Sequence, residues 1–163
     1  MLTLERTDLK KRVVLCPEVL SVIRGEQLIY DYLHSFYECD YKTFFGCLVQ
    51  IDSVIRSEQY LAAHADYYVR EMRIKAYNQF LASYKSVTME SMAATFGVSS
   101  EFIDRELSRF IASNRITAKI DKTAGIIESN RPDQKNASYN SVIKHGDQIL
   151  NRIQKLARLT STA

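Results

Sequence analysis

The sequence predicts a mainly α fold: a helical-repeat-like bundle, then a winged helix with a small β hairpin, then one long C-terminal helix. Three observations predict it. The 163 residues hold 5 Gly, 2 Pro and no Trp, and a chain poor in helix breakers favours long helices. Apolar residues recur at helical spacing through the first half. The hydrophobic period then changes near Thr88 and again near Ile116. The length suits one or two small domains with a real core.

The elements follow in order. "CPEVLSVIRG" is a short helix with both ends marked: Pro17 suits the first helical position and Gly25 the residue past the end. In "EQLIYDYLHSFYECD", Leu28, Ile29, Tyr32, Leu33 and Phe36 form an apolar stripe. "YKTFFGCLVQIDSVIR" repeats the pattern with Tyr41, Phe44, Phe45, Leu48, Ile51 and Ile55. A longer helix spans about Ala65 to Tyr84, with Val69, Met72, Ala76, Tyr77, Phe80 and Leu81 on one face. Each helix buries its stripe against its neighbours, as in an α-solenoid, although no strict repeat consensus is visible.

"SVTMESMAATFGVSS" starts a different pattern. Thr88 caps a short helix with Met89, Met92, Ala93 and Phe96 inward, and Gly97 supplies the positive φ of a tight turn. Ser99 or Ser100 caps a second helix, with Glu101 in its first turn and Phe102, Ile103, Leu107, Phe110 and Ile111 buried. "ITAKI" and "GIIES" flank "DKTA", a strand–turn–strand signal. The polar connector "NRPDQKNAS" then leads to a last helix, about Tyr139 to Leu159. Val142, Ile149 and Leu156 recur in it every seventh residue, with Ile153 between the latter two. That is a coiled-coil-like seam.

A winged helix raises the question of nucleic acid. The net charge is only +3, too weak to demand a nucleic-acid or membrane partner. A DNA-reading helix sits among phosphates and carries Arg and Lys outward. Here the second helix carries Arg105 and Arg109 against Glu101, Asp104 and Glu106, so its outward face reads as slightly acidic. The expectation is a winged helix used for protein contact. The wing hairpin leaves a sheet edge that another chain can pair with. The last helix, with Lys144, Arg152, Lys155 and Arg158 against Asp147, keeps a nucleic-acid-binding module as an alternative.

Nothing points to catalysis, a cofactor or a metal. His34, His64 and His145 fall in separate elements and form no ligand spacing. "HAD" at His64–Asp66 reads as a helix start rather than a base–orienter pair. There is no G-x-S-x-G, Walker or G-x-G-x-x-G sequence. "REMR", Arg70–Arg73, reads as a surface ion-pair stripe, and the tyrosines mostly as core with a polar tip. Cys16, Cys39 and Cys47 are an odd set without CxxC spacing, which fits plain thiols in a reducing compartment, cytosol or nucleus. The opening "MLTLERTDLKKR" is too charged for a signal peptide, and no apolar run is long enough to span a bilayer.

A helical-repeat segment running into a winged helix resembles the PCI domain, found in subunits of the proteasome lid, the signalosome and translation initiation factor three. The words "HADYYVREMRIKAYNQFLASYKSVTMESMAATFGVS", "EFIDRELSRFIASNRITAKIDK", "ESNRPDQKN" and "GDQILNRIQKLAR" are similar to the lid family known as regulatory particle non-ATPase subunit seven, in its C-terminal portion. The signalosome's equivalent subunit shares the layout, but "YYVREMR" and "NRPDQKN" are nearer the proteasome version.

The resemblance implies a non-catalytic scaffold in the cytoplasm and nucleus. It implies assembly with other lid subunits, both PCI and metalloprotease-like, in support of the degradation of ubiquitinated proteins. It implies no membrane or cofactor, and makes nucleic acid an unfavoured partner. The expected division is 1–85 for the helical-repeat-like segment, 86–130 for the winged helix, and 131–163 for the connector and last helix. The expected protein-interface residues are Thr117, Lys119 and Ile127 in the wing and Val142, Ile149, Ile153 and Leu156 in the last helix. Ile127 has a second reading, as core.

Overall fold

The computed structural model describes residues 3–4, 6–130 and 134–161, the side chains of residues 134–137, 156 and 159–161 excepted. Residues 1–130 form one compact unit and 131–163 a second.

The first unit opens with α1 (Arg6–Leu9), which runs on as a π-helical turn, Lys10–Val14. The charged opening conceals a core residue: Leu9 is 1% exposed. Arg6 pins this segment by donating to the Tyr37 carbonyl at 2.8 Å and to Cys39 Sγ at 3.0 Å. Then come α2 (Pro17–Ile23), with Pro17 in its first turn where the missing N–H costs nothing, and α3 (Gln27–Glu38). Cys39 closes α3 at φ +66°, a place glycine more often takes.

Asp40 caps α4 (Tyr41–Ser57), its carboxylate accepting from the Thr43 amide at 3.4 Å. A 3-10 turn, Ala62–His64, leads into α5 (Ala65–Leu81). α4 packs between α3 and α5. Tyr32, Leu33 and Phe36 of α3, Phe44 and Leu48 of α4, and Met72, Ala76, Tyr77 and Phe80 of α5 are buried, as their helical spacing predicts.

The winged helix comprises β1 (Ser86–Thr88), α6 (Met89–Phe96), α7 (Ser100–Ala112), β2 (Ala118–Asp121) and β3 (Ile126–Ser129). Both helices start as expected. Thr88 accepts from the Ser91 amide and Ser99 from the Phe102 amide, while Gly97 turns the chain at φ +67°. The sheet has one strand more than the sequence predicts. β1 pairs antiparallel with β3, and β3 with β2, in the order β1-β3-β2. At the hairpin turn, Asp121 Oδ1 accepts from the Thr123 and Ala124 amides at 2.9 and 3.3 Å, and Gly125 takes φ +64°.

One residue fuses the winged helix to the helical layer. Phe96, 1% exposed at the end of α6, has its ring centroid 4.7 Å from Tyr41, 5.0 Å from Tyr77, 5.1 Å from Phe45 and 5.5 Å from Phe80. Such aromatic packing in offset and edge-on geometries combines large area burial with specific orientation.

Several expectations change. "REMR" is not a surface stripe. Glu71 is buried and pairs with Arg115, just past α7; Arg73 pairs with the buried Glu106 of α7 at 2.9 Å. The two pairs tie α5 to the winged helix: the Glu71 and Glu106 side chains are each 10% exposed, while Arg73 and Arg115 reach them from more open positions. The tyrosines divide: Tyr32, Tyr41 and Tyr77 are core, whereas Tyr60, Tyr67, Tyr84 and Tyr139 are exposed. Phe102, expected in the core, is 36% exposed.

The second unit contains α8 (Gln134–Ser161), which starts before the expected Tyr139. At 1.5 Å per residue its 28 residues span roughly 42 Å. Part of the expected connector is therefore helix; residues 131–133 of it lie outside the described residues.

Candidate protein-interaction surfaces

The wing's geometry follows from its alternation. In register across the sheet, Val87, Ile127 and Ile120 make one row, Ser86, Glu128 and Lys119 the next. The first row faces the helices, with Ile127 fully buried and its two neighbours half-buried. The second row is exposed. Ile127 is therefore core, the second of its two readings; its side chain holds the sheet on the helices and presents no surface to a partner.

Lys119 does face outward, on β2, one of the two outer strands, whose far edge pairs with no strand among the described residues. Thr117 is exposed immediately before β2, and its carbonyl accepts from the Asn130 amide at 3.0 Å. A row of mixed polar side chains beside a free edge suits a partner that adds backbone hydrogen bonds and rim charges.

The electrostatics of α7 differ from the sequence expectation. Glu106 points inward: Arg73 donates to one of its carboxylate oxygens at 2.9 Å and the Tyr77 hydroxyl to the other at 3.2 Å. Burial, and next the charge of Glu106, push the Tyr77 hydroxyl far above its ordinary range. The outward charges that remain are Glu101, Arg105 and Arg109, with Asp104 half-buried. Lys122 of the wing turn donates to Asp104 at 3.1 Å. The face is thus balanced rather than acidic, and it lacks the cationic surplus that phosphate contact requires.

α8 carries the other candidates. Val142 is 68% exposed, Ile149 56% and Ile153 55%, with Ile143 and Leu150 similarly open. The side chain of Leu156 lies outside the described residues. Spacings of seven and four put Val142, Ile149 and Ile153 along one side of a helix. An apolar row of this size exceeds the singly scattered apolar residues of an ordinary surface.

The chemistry-bearing residues do not converge. Asp66 is held by Arg56, not by His64, so "HAD" makes no base–orienter pair. His34 lies beside Glu38 at 3.5 Å, and His145 Nδ1 donates to the Ser141 carbonyl at 2.8 Å along its own helix. Among the described residues no group of three or more His, Cys, Asp or Glu could hold a metal ion, and no helix is long and apolar enough to cross a membrane. The sequence reading missed the Glu71–Arg115 and Arg73–Glu106 pairs. Their only signal was acidic residues on otherwise apolar helix faces.

Comparison with known proteins agrees with this layout. The family description "PCI domain" matches residues 48–131, and "26S proteasome regulatory subunit RPN7/PSMD6 C-terminal helix" matches residues 139–159. The chain is 52% identical over 159 residues to the Arabidopsis thaliana protein named 26S proteasome non-ATPase regulatory subunit 6 homolog, covering 98% of this chain and 41% of that one. It is also 52% identical over 159 residues to the Dictyostelium discoideum 26S proteasome non-ATPase regulatory subunit 6, covering 98% and 42%. A COP9 signalosome complex subunit 1b of Drosophila melanogaster is more distant, at 26% identity over 146 residues, 90% of this chain and 28% of that one. The chain spans about two fifths of the length of the curated proteasome relatives it matches. With this sequence, a winged helix fused to stacked helices and the matching last helix, the chain belongs to the PCI-domain family and carries the C-terminal helix of the 26S proteasome RPN7/PSMD6 regulatory subunits.

Proposed function

We propose that this chain is the assembly portion of a non-catalytic scaffold subunit in the lid of the proteasome regulatory particle. The observation that carries the reading is the apolar row of α8. Val142, Ile149 and Ile153 are more than half exposed, and they lie within the segment matching the RPN7/PSMD6 C-terminal helix. Burying each such side chain against a partner helix is worth roughly 1.5–3 kcal/mol. The wing, through Thr117 and Lys119 at the β2 edge, is the second contact. Its partners are the other lid subunits, PCI and metalloprotease-like, in the cytoplasm and nucleus. The role is to hold the lid together while ubiquitinated proteins are degraded. In this reading residues 1–85 are the stacked helices, 86–130 the winged helix and 131–163 the connector and assembly helix.

The experiment mixes the chain, in parallel, with PCI subunits of the lid and with labelled DNA and RNA at physiological salt. Association with lid subunits and no retained nucleic acid is the expected result. Sequence-selective DNA binding that survives salt and is lost on Arg105→Ala would replace this reading with the winged-helix reader.

A further inference from the structure

Within the first unit, the helical layer holds an apolar groove of about 830 Å³. It opens between the start of α3, the end of α4, the 3-10 turn and the start of α5. Its walls are Ile29, Val54, Leu61 and Tyr67, each 41–53% exposed. An apolar concavity of this size falls within the range of binding sites.

Three further observations describe what fits there. The rim carries Glu26 and Glu58, both exposed, and no Lys or Arg is among the lining residues. Arg56, near Glu58 in sequence, is already engaged by Asp52 and Asp66. At the base, the Tyr32 and Tyr68 hydroxyls lie 3.1 Å apart. Burial raises both hydroxyls above their ordinary range, so the base is uncharged. Finally, the walls are helices and the turn that carries Leu61, with no strand edge. An extended peptide would leave its N–H and C=O groups unpaired against apolar side chains, which is costly. A helix satisfies its own backbone and presents only side chains.

We propose that this groove docks an amphipathic helix of a partner protein. That helix presents apolar side chains at i, i+3 or i+4 and i+7, and Lys or Arg flank them to meet Glu26 and Glu58. The proposal is independent of the lid reading, because it rests on different residues and a different chemistry.

The test uses the full chain and two labelled synthetic helical peptides. Both carry Leu at the anchor positions; one is flanked by Lys, the other by Glu. Fluorescence anisotropy reads binding. The Lys peptide binds saturably, and the Glu peptide binds about tenfold more weakly or worse. Leu61→Asp lowers the affinity of the Lys peptide by about tenfold or more, because it places a charge in the apolar contact. Glu26→Lys with Glu58→Lys reverses the preference between the peptides. These two sites are exposed, so that variant keeps the test decisive even if Leu61→Asp perturbs the fold. Equal binding of the two peptides, no saturable binding, or indifference to the charge reversal would overturn the proposal. So would self-association of the chain that Leu61→Asp abolishes, since the occupant would then be a second copy.

Discussion

Glu106 is 8% exposed and uses both carboxylate oxygens, one on Arg73 and one on Tyr77. Asp104, two residues earlier, meets Lys122 where both side chains are more open to water. The two acidic residues look alike in the sequence, yet their energetics differ. Removing one partner of a buried pair leaves an uncompensated charge, whereas exposed pairs contribute little. Glu106→Ala is therefore expected to cost about 3 kcal/mol or more, and Asp104→Ala under about 1 kcal/mol, both read from urea unfolding. Equal small losses would mean that Arg73 is solvated at the junction. At Cys39, burial alone raises the thiol. Hydrogen bonds from Arg6, Tyr41 and Gln79 outweigh it, and the thiol ends below its ordinary 9.0. A thiol depressed on folding contributes stability in full above its unfolded value and loses it as pH falls through the folded one. The stability difference between wild type and Cys39→Ala should therefore widen as pH rises toward 9.0 and flatten above it. A difference that narrows over that window would contradict the hydrogen-bond account.

Among the elements, α6 does most to make the helical layer and the winged helix one body. Its Phe96 lies among Tyr41, Phe45, Tyr77 and Phe80, which come from α4 and α5. Truncating a buried phenylalanine to alanine costs about 3–5 kcal/mol. Phe96→Ala should do so and leave a single unfolding transition. Two separated transitions would mean that the layers fold independently. Elements with a strong local signal were legible in the sequence: α3 and α4 through their apolar stripes, α6 and α7 through Thr88, Gly97 and Ser99, and the hairpin through its turn. Elements defined by distant partners were not. β1 has only three residues, too short for alternation to register, and its pairing with β3 joins Ser86 to Glu128. Leu9 sits in a charged stretch, and Glu71 and Glu106 find their arginines 44 and 33 residues away. The early start of α8 was hidden because Gln134–Ser138 carries no apolar period, only helix-compatible residues. The sequence left Ile127 between interface and core, and it counted Glu106 among the charges of α7 that face outward. Both assignments depend on what packs above them.

At the scale of the molecule, the account rests on a compact unit of helical layer and winged helix, and on the exposed Val142, Ile149 and Ile153 of α8. Among the described residues, the buried core of the compact unit runs from Leu9 to Ile127. A change in the row should therefore spare the fold and strike assembly. The decisive measurement pairs Ile149→Asp with Ile153→Asp and reads two things, the thermal melt of the chain and its co-purification with lid subunits. Each substitution forfeits roughly 1.5–3 kcal/mol of apolar burial and puts a carboxylate into a dry helix contact. The account predicts an unchanged melt of the compact unit and loss of the variant from the lid. Normal incorporation would contradict it by showing that the row is not an assembly surface, and collapse of the compact unit would contradict it by making α8 part of the chain's own core.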